Sequence, residues 1–295
     1  MPSALEQAWR GLEDDPDDSS RLEVLADLLI EAGDRHGELI RVAVEARRRP
    51  LDGALAARLH ALLEAHEGSL RLPGAALSLQ WFDGFVRYAQ GVGGPQLTRV
   101  LQSTESRRLE WLSWKFDPST KASTIAIALK GLPRTLHTID LQATTDEEPL
   151  GSLEDFTKTL STLPRLSTLR VHHLPVPLAS LSTPHLSSLF LRRATAFLED
   201  LSKVQLPSLR SLTLSLDARH GRWPLRLLAA EGLPRLVSLS IEGAFLPEDL
   251  EDLSTSALLR QLEHLTVSVG APRALEDVVQ LTEDRFSHLK VFDLR

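Results

Sequence analysis

From residue 109 onward the apolar positions repeat one phrase: an apolar residue, two others, a second apolar residue, one other, a third. It reads Leu109/Leu112/Trp114, Leu136/Ile139/Leu141, Leu166/Leu169/Val171 and Leu186/Leu189/Leu191. It continues as Leu209/Leu212/Leu214, Leu236/Leu239/Ile241, Leu262/Leu265/Val267 and Leu289/Phe292/Leu294. The first positions are 27, 30, 20, 23, 27, 26 and 27 residues apart. The alternation within each phrase predicts a short strand, because side chains point to opposite faces along an extended chain. The spacing predicts a solenoid, in which each copy buries its apolar side against the next.

Positions one, four and six of the phrase are candidates for the core. Positions three, five and seven then share the other face. Eleven of these 24 positions are Ser or Thr, among them Ser211, Thr213 and Ser215. Small hydroxyl residues suit a smooth, solvated strand surface. Pro164, Pro184, Pro207 and Pro234 each stand two residues before a phrase, where a missing N–H is tolerated at the start of a strand. Segments such as Leu153–Leu163, Pro224–Leu233 and Leu246–Leu259 have room for a helical turn. The 20-residue repeat returns through Pro175 and Pro177.

The first 68 residues carry a different period. Leu22, Leu25, Leu28 and Leu29, then Leu39, Val42 and Ala46, then Leu55, Leu59, Leu62 and Leu63 fall at helical spacing. Asp14-Asp15-Pro16-Asp17-Asp18 reads as a turn that can cap the next helix. Three or four packed helices are expected over 1–68. A junction follows over 69–108. Its densest feature is Trp81-Phe82-Asp83-Gly84-Phe85, expected to seal the helices against the repeats. Phe85 to Ala89 is expected to be a degenerate first strand, with Gly91, Gly93, Gly94 and Pro95 in a loop. The repeats occupy 109–295.

Residues 109–295 resemble a leucine-rich-repeat solenoid, on eight phrases. Residues 11–49 resemble the bacterial repeat-companion domain that precedes such repeats. The matching residues are Asp15-Pro16-Asp17-Asp18, Leu25-Ala26-Asp27-Leu28-Leu29, Glu31-Ala32-Gly33-Asp34 and Gly37-Glu38-Leu39-Ile40. That family usually has an aromatic residue where Leu28 stands. Together the resemblances imply an α/β fold: a small α-helical domain, then a leucine-rich-repeat solenoid with a parallel sheet on its concave face. They imply no enzymatic activity. The commoner repeat carries Asn three residues after its third apolar position, and this chain has no Asn. Its turns must satisfy their backbone groups by other means, since a buried unpaired group costs roughly 1–3 kcal/mol.

Composition narrows the function classes. A net charge of −7 and a pI near 5.8 argue against a general nucleic-acid binder. The absence of cysteine excludes disulfides, thiol catalysis and cysteine-ligated metals, and fits a reducing cytoplasm. Neither a signal peptide nor an apolar run long enough to span a membrane is expected. The chain lacks a phosphate loop, a G-x-S-x-G elbow and an H-E-x-x-H helix. His172-His173 are adjacent, which suits opposite faces of a strand rather than one metal site. No catalytic residue, cofactor or metal is expected, and the acidic runs near 146–148 and 248–252 read as solvated charge.

The residues that break the Ser/Thr pattern are the candidates for binding: Trp111, Arg170, His172, Phe190 and Arg192. Aromatic residues and arginine are over-represented at binding hot spots. Phe190 between Arg170 and Arg192 suits a protein partner with an acidic surface. The competing reading packs Phe190 under a loop and leaves both arginines solvated. The basic run Arg41, Arg47, Arg48 and Arg49 reads first as a solvated helix face, and otherwise as a phosphate or membrane contact. The expected function is a non-catalytic, cytoplasmic scaffold. Self-assembly through the last strand, Leu289–Arg295, is the alternative, as is an enzyme or enzyme regulator whose groups converge only in three dimensions.

Overall fold

The computed structural model of the chain describes residues 3–15, 18–117, 122–143, 154–174, 181–192, 203, 205–215, 230–243, 247–268 and 285–294. Pro16, Asp17, the 146–148 acidic run, Pro175, Pro177, residues 216–229 and Arg295 lie outside them, as does the Glu248 side chain. The helices are α1 (Ala4–Asp14), α2 (Ser19–Glu31), α3 (His36–Arg48), α4 (Gly53–Leu70), α5 (Gly94–Leu101), α6 (Ala122–Leu129), α7 (Glu154–Ser161) and α8 (Pro247–Thr255). The strands are β1 (Leu77–Phe82), β2 (Phe85–Val92), β3 (Trp111–Phe116), β4 (Thr138–Ala143) and β5 (Thr168–His172). They continue as β6 (Ser188–Arg192), β7 (Ser211–Ser215), β8 (Ser238–Glu242), β9 (His264–Ser268) and β10 (Val291–Leu294). The strands form one ten-stranded sheet in chain order. The fold is mixed α/β and repeat-like. No helix among the described residues is long and apolar enough to cross a membrane.

The chain divides into two compact units: Met1–Trp114 with Gly131–Leu136, and Lys115–Lys130 with His137–Arg295. In the first, local chemistry starts each helix. Ser3 and Glu6 form a capping box, Asp18 accepts from the amides of Ser20 and Arg21, and Asp52 accepts from that of Leu55. Gly37 lets α3 approach α2, since a Cβ there would fall 2.6 Å from the Ala26 carbonyl oxygen. Trp9, Leu12, Leu22, Leu25, Leu29, Ile40 and Val44 bury their side chains together with Phe85 of the hairpin.

The expected strand over Phe85–Ala89 is the first part of β2, which belongs to a hairpin. β1 and β2 pair antiparallel around a two-residue turn, Asp83-Gly84, with φ of 51° and 79°. Positive φ at both centres is the geometry that matches strand twist, and Asp-Gly is the pair that tolerates it. The expected glycine loop is also absent. Gly91 belongs to β2, where a Cβ would lie 2.4 Å from the Trp114 ring. Gly94 and Pro95 open α5, because proline fits the first helical turn, where its missing N–H has no partner to lose.

In the second unit β4 to β10 pair in parallel, in register. The fourth positions, Ile139, Leu169, Leu189, Leu212, Leu239, Leu265 and Phe292, therefore stack in one row. In the phrases from Leu166 to Val267 the buried first and sixth positions flank them. Each phrase begins with a turn. The amide of Leu166 donates to the Leu163 carbonyl, and Leu186, Leu209, Leu236, Leu262 and Leu289 repeat this three-residue reach. Pro164, Pro184, Pro207 and Pro234 thus occupy the second position of a β-turn, where their fixed φ fits.

The next two amides then converge on a single carbonyl of the preceding repeat. Ser167 and Thr168 donate to His137, Ser187 and Ser188 to Ser167, Arg210 and Ser211 to Ser187. The pattern continues through Val237/Ser238, Glu263/His264 and Lys290/Val291. At two strand ends, left-handed residues turn the chain: His173 (φ 57°) donates to the Arg192 carbonyl, and Gly243 (φ 125°) to that of Ser268. Backbone bonds of this kind do part of the work that asparagine ladders do elsewhere. The Asn-equivalent positions Thr144, Ala194, Asp217, Ala244 and Gly270 lie outside the described residues.

Candidate functional site

Register decides which side chains meet on the open face of the second unit. Asp140, Arg170 and Phe190 stand opposite one another on β4, β5 and β6. Two residues further on, Gln142, His172 and Arg192 form the next row. Four of the five candidates are thus neighbours on two adjacent strands. Trp111 is not one of this group. It belongs to the first unit, 42% exposed, with its ring edge-on to Tyr88 at 5.1 Å.

Phe190 is not a freely projecting anchor. It is half-buried, and the His172 ring leans on it at 4.9 Å and 37°. His172 Nε2 lies 3.4 Å from Asp140 Oδ1, with both side chains largely covered. His172 Nδ1 is buried and has no hydrogen-bond partner. Arg170 and Arg192 are exposed on either side of this tilted pair. Neither makes an ion pair among the described residues. Beyond them the face is small: Thr213 and Ser215 stand beside Phe190 and Arg192.

The first unit spends its charge differently. Arg41 pairs with Asp27, Arg47 with Asp83 at 2.7 Å, Arg48 with Glu23, and Arg49 with Glu45 and Asp52. Arg58 meets Glu38, Arg71 meets Glu67, and Arg87 meets Glu110. The basic run on α3 is therefore matched residue by residue. Phe82, 48% exposed, lies beneath the Arg47 and Arg87 guanidinium groups at 6.0 and 5.4 Å. Trp81 packs edge-on to His66, and Phe85 is fully buried.

A second polar cluster, inside the first unit, has no counterpart in the sequence reading. His36 Nε2 donates to the Gly84 carbonyl at 2.9 Å, and its ring meets Phe85 edge-on at 4.8 Å. With Nε2 carrying the proton, the neutral ring leaves Nδ1 bare, and that atom is buried without a partner. Burial holds the His36 pKa below its ordinary value, against the pull of Glu105. His66 Nδ1 lies 2.8 Å from Glu105 Oε1. Burial raises the Glu105 pKa, but the His66 bond, its own backbone amide and the nearby histidines outweigh that, holding it at about 2. His66 and Glu105 pair with each other and His36 is held by the Gly84 carbonyl, so their visible work is to hold α3, α4 and the hairpin turn. Only the Asp83-Gly84 pair, a strong hairpin signal, pointed to this arrangement. Among the described residues no three His, Asp or Glu side chains converge as metal ligands.

No family model matches the chain, and no curated protein matches it. Among solved structures it is similar to a bacterial protein, a structural-genomics target from Bacteroides fragilis, with a TM-score of 0.50 and 17% identity. The match covers 68% of this chain and 64% of that one, less than two thirds of the neighbour's length. At that identity the likeness concerns fold alone.

Proposed function

We propose that residues 109–295 are a leucine-rich-repeat solenoid and that the protein is a non-catalytic, cytoplasmic interaction scaffold. Its open sheet face binds a protein partner through Arg170, His172, Phe190 and Arg192. One observation carries this reading. Arg170 and Arg192 are exposed and unpaired among the described residues, while eight arginines of the first unit each meet a carboxylate. A guanidinium group with no internal partner is free to take one from outside. The Phe190 ring between them, held by its contact with His172, supplies the apolar, low-entropy area on which hot spots depend. Trp111 belongs to the first unit, and the proposal is confined to the four candidates of the second.

The test compares wild type with Phe190→Ala/Arg192→Ala in affinity capture from native extract, followed by mass spectrometry. The expected result is a specific protein recovered by wild type and lost by the variant. The truncations should weaken binding by roughly 2 kcal/mol or more. Equal recovery by both proteins would remove the sheet face from the reading.

A further inference from the structure

We infer that the sheet face recognises an extended acidic segment carrying two carboxylates at positions i and i+2. This rests on the sheet-face reading above and specifies its ligand. Arg170 sits opposite Phe190, and Arg192 sits opposite His172, so the two arginines occupy one diagonal of a four-residue square. The His172 and Phe190 rings, tilted by 37° to each other, occupy the other diagonal, 4.9 Å between centroids. Neighbouring strands lie about 4.8 Å apart, and two residues along a strand span about 6.6 Å, so the Arg170 and Arg192 Cα atoms are about 8 Å apart. Their long side chains can close that distance by an ångström or two at the guanidinium ends.

An extended peptide matches this spacing in one way. Its side chains at i and i+2 point to the same side and are about 6.6–6.8 Å apart. Those at i and i+1, or i and i+3, point to opposite sides. With both carboxylates down, residue i+1 points away and the peptide backbone lies flat over the two rings. The small Thr213 and Ser215 on β7 leave room for the chain to pass. Each guanidinium is a planar fork that can take a carboxylate through two parallel N–H donors. Asp140, opposite Arg170, is turned toward His172 at 3.4 Å and makes no ion pair with the arginine. The pairing on offer is therefore two positive forks with the Phe190 and His172 rings between them.

The probes are fluorescein-labelled threonine-rich peptides titrated with the full chain at low ionic strength and read by fluorescence anisotropy. They contain Glu-Thr-Glu, Glu-Thr-Thr-Glu, Gln-Thr-Gln or Lys-Thr-Lys. Glu-Thr-Glu should bind about tenfold more tightly than Gln-Thr-Gln, the effect of two surface ion pairs, and should lose that margin at high salt. It should also outbind Glu-Thr-Thr-Glu. Arg170→Glu/Arg192→Glu should reverse the preference toward Lys-Thr-Lys, with an unchanged melting temperature showing that the variant is folded. Equal binding of the two Glu spacings, no preference for Glu over Gln, or no binding by wild type would each overturn the inference. If the extract experiment still yields a partner lost in the face variant, only the two-carboxylate motif falls and the sheet-face reading stands.

Discussion

Arg47 in the first unit meets Asp83 at 2.7 Å, and that carboxylate is only 3% exposed. Arg170 and Arg192 in the second unit are exposed and meet no carboxylate among the described residues. The same residue type therefore has two uses in one chain. In the first unit, arginines tie helices to one another and to the hairpin over sequence separations of 3 to 36 residues. On the sheet face they contribute nothing visible to internal order. A side chain whose charge is satisfied internally belongs to the fold. One left unsatisfied on a rigid surface is available to a ligand.

The contrast can be broken most severely in the first unit. Phe85→Ala removes a fully buried ring from the helical core and should cost about 3–5 kcal/mol, read by urea unfolding through the fluorescence of Trp9 and Trp81. A loss below 1 kcal/mol would mean that the hairpin does not anchor the helices. Next in size is partner binding: Phe190→Ala/Arg192→Ala should weaken it by roughly 2 kcal/mol. Arg47→Ala should cost about 1–2 kcal/mol of stability, discounted because the guanidinium is 40% exposed although its partner is buried. The smallest effect is the most informative. Arg170→Ala/Arg192→Ala should leave the unfolding free energy nearly unchanged, within about 0.5 kcal/mol. A large drop there would assign those arginines to the fold and erase the contrast.

Acid should separate the units as well. His36 has a lowered pKa in the folded state, so its contribution is complete above pH 6.5 and is lost as pH falls below that value. Glu105 is also lowered, from 4.5 to about 2, so its contribution is complete above pH 4.5 and is lost as pH falls from there toward 2. Both act in the same direction, and acidification weakens the first unit in two stages. Hydrogen exchange of the β2 amides between pH 7.5 and 5 should show the first stage in wild type. His36→Gln keeps a donor for the Gly84 carbonyl and should abolish it. An identical pH response in that variant would release His36 from this role.

The sequence exposed the repeat clearly because a buried row tolerates few alternatives. Leu169, Leu189, Leu212, Leu239 and Leu265 occupy equivalent stacked positions, and each was readable from its own phrase. The helices over Ser19–Leu70 were legible for the same reason. The hairpin was harder. Its Asp83-Gly84 turn is embedded in an aromatic run, and the glycines after it have the composition of a loop although the Trp114 ring requires Gly91 within the strand. The candidate face was legible in part. Strand alternation brought Arg170, His172, Phe190 and Arg192 to one side, but could not show that Trp111 belongs to the other unit. Nor could it show His172 covering Phe190, or which arginines had found carboxylates. Those facts depend on cross-strand packing and on contacts between distant residues, and no local pattern encodes them.

The paired amides that start each repeat have a consequence for how such a chain changes over evolutionary time. Ser187 and Ser188 need only the Ser167 carbonyl, whether the stretch between phrases is 20 residues long or 30. The connection can lengthen, shorten or acquire a helix without shifting the alignment of the strands. A whole repeat can be copied or deleted and the cut ends will still find the same acceptor. The molecule resembles a rack of interchangeable trays, in which one row of shared fittings sets the spacing and each tray is free to carry different contents.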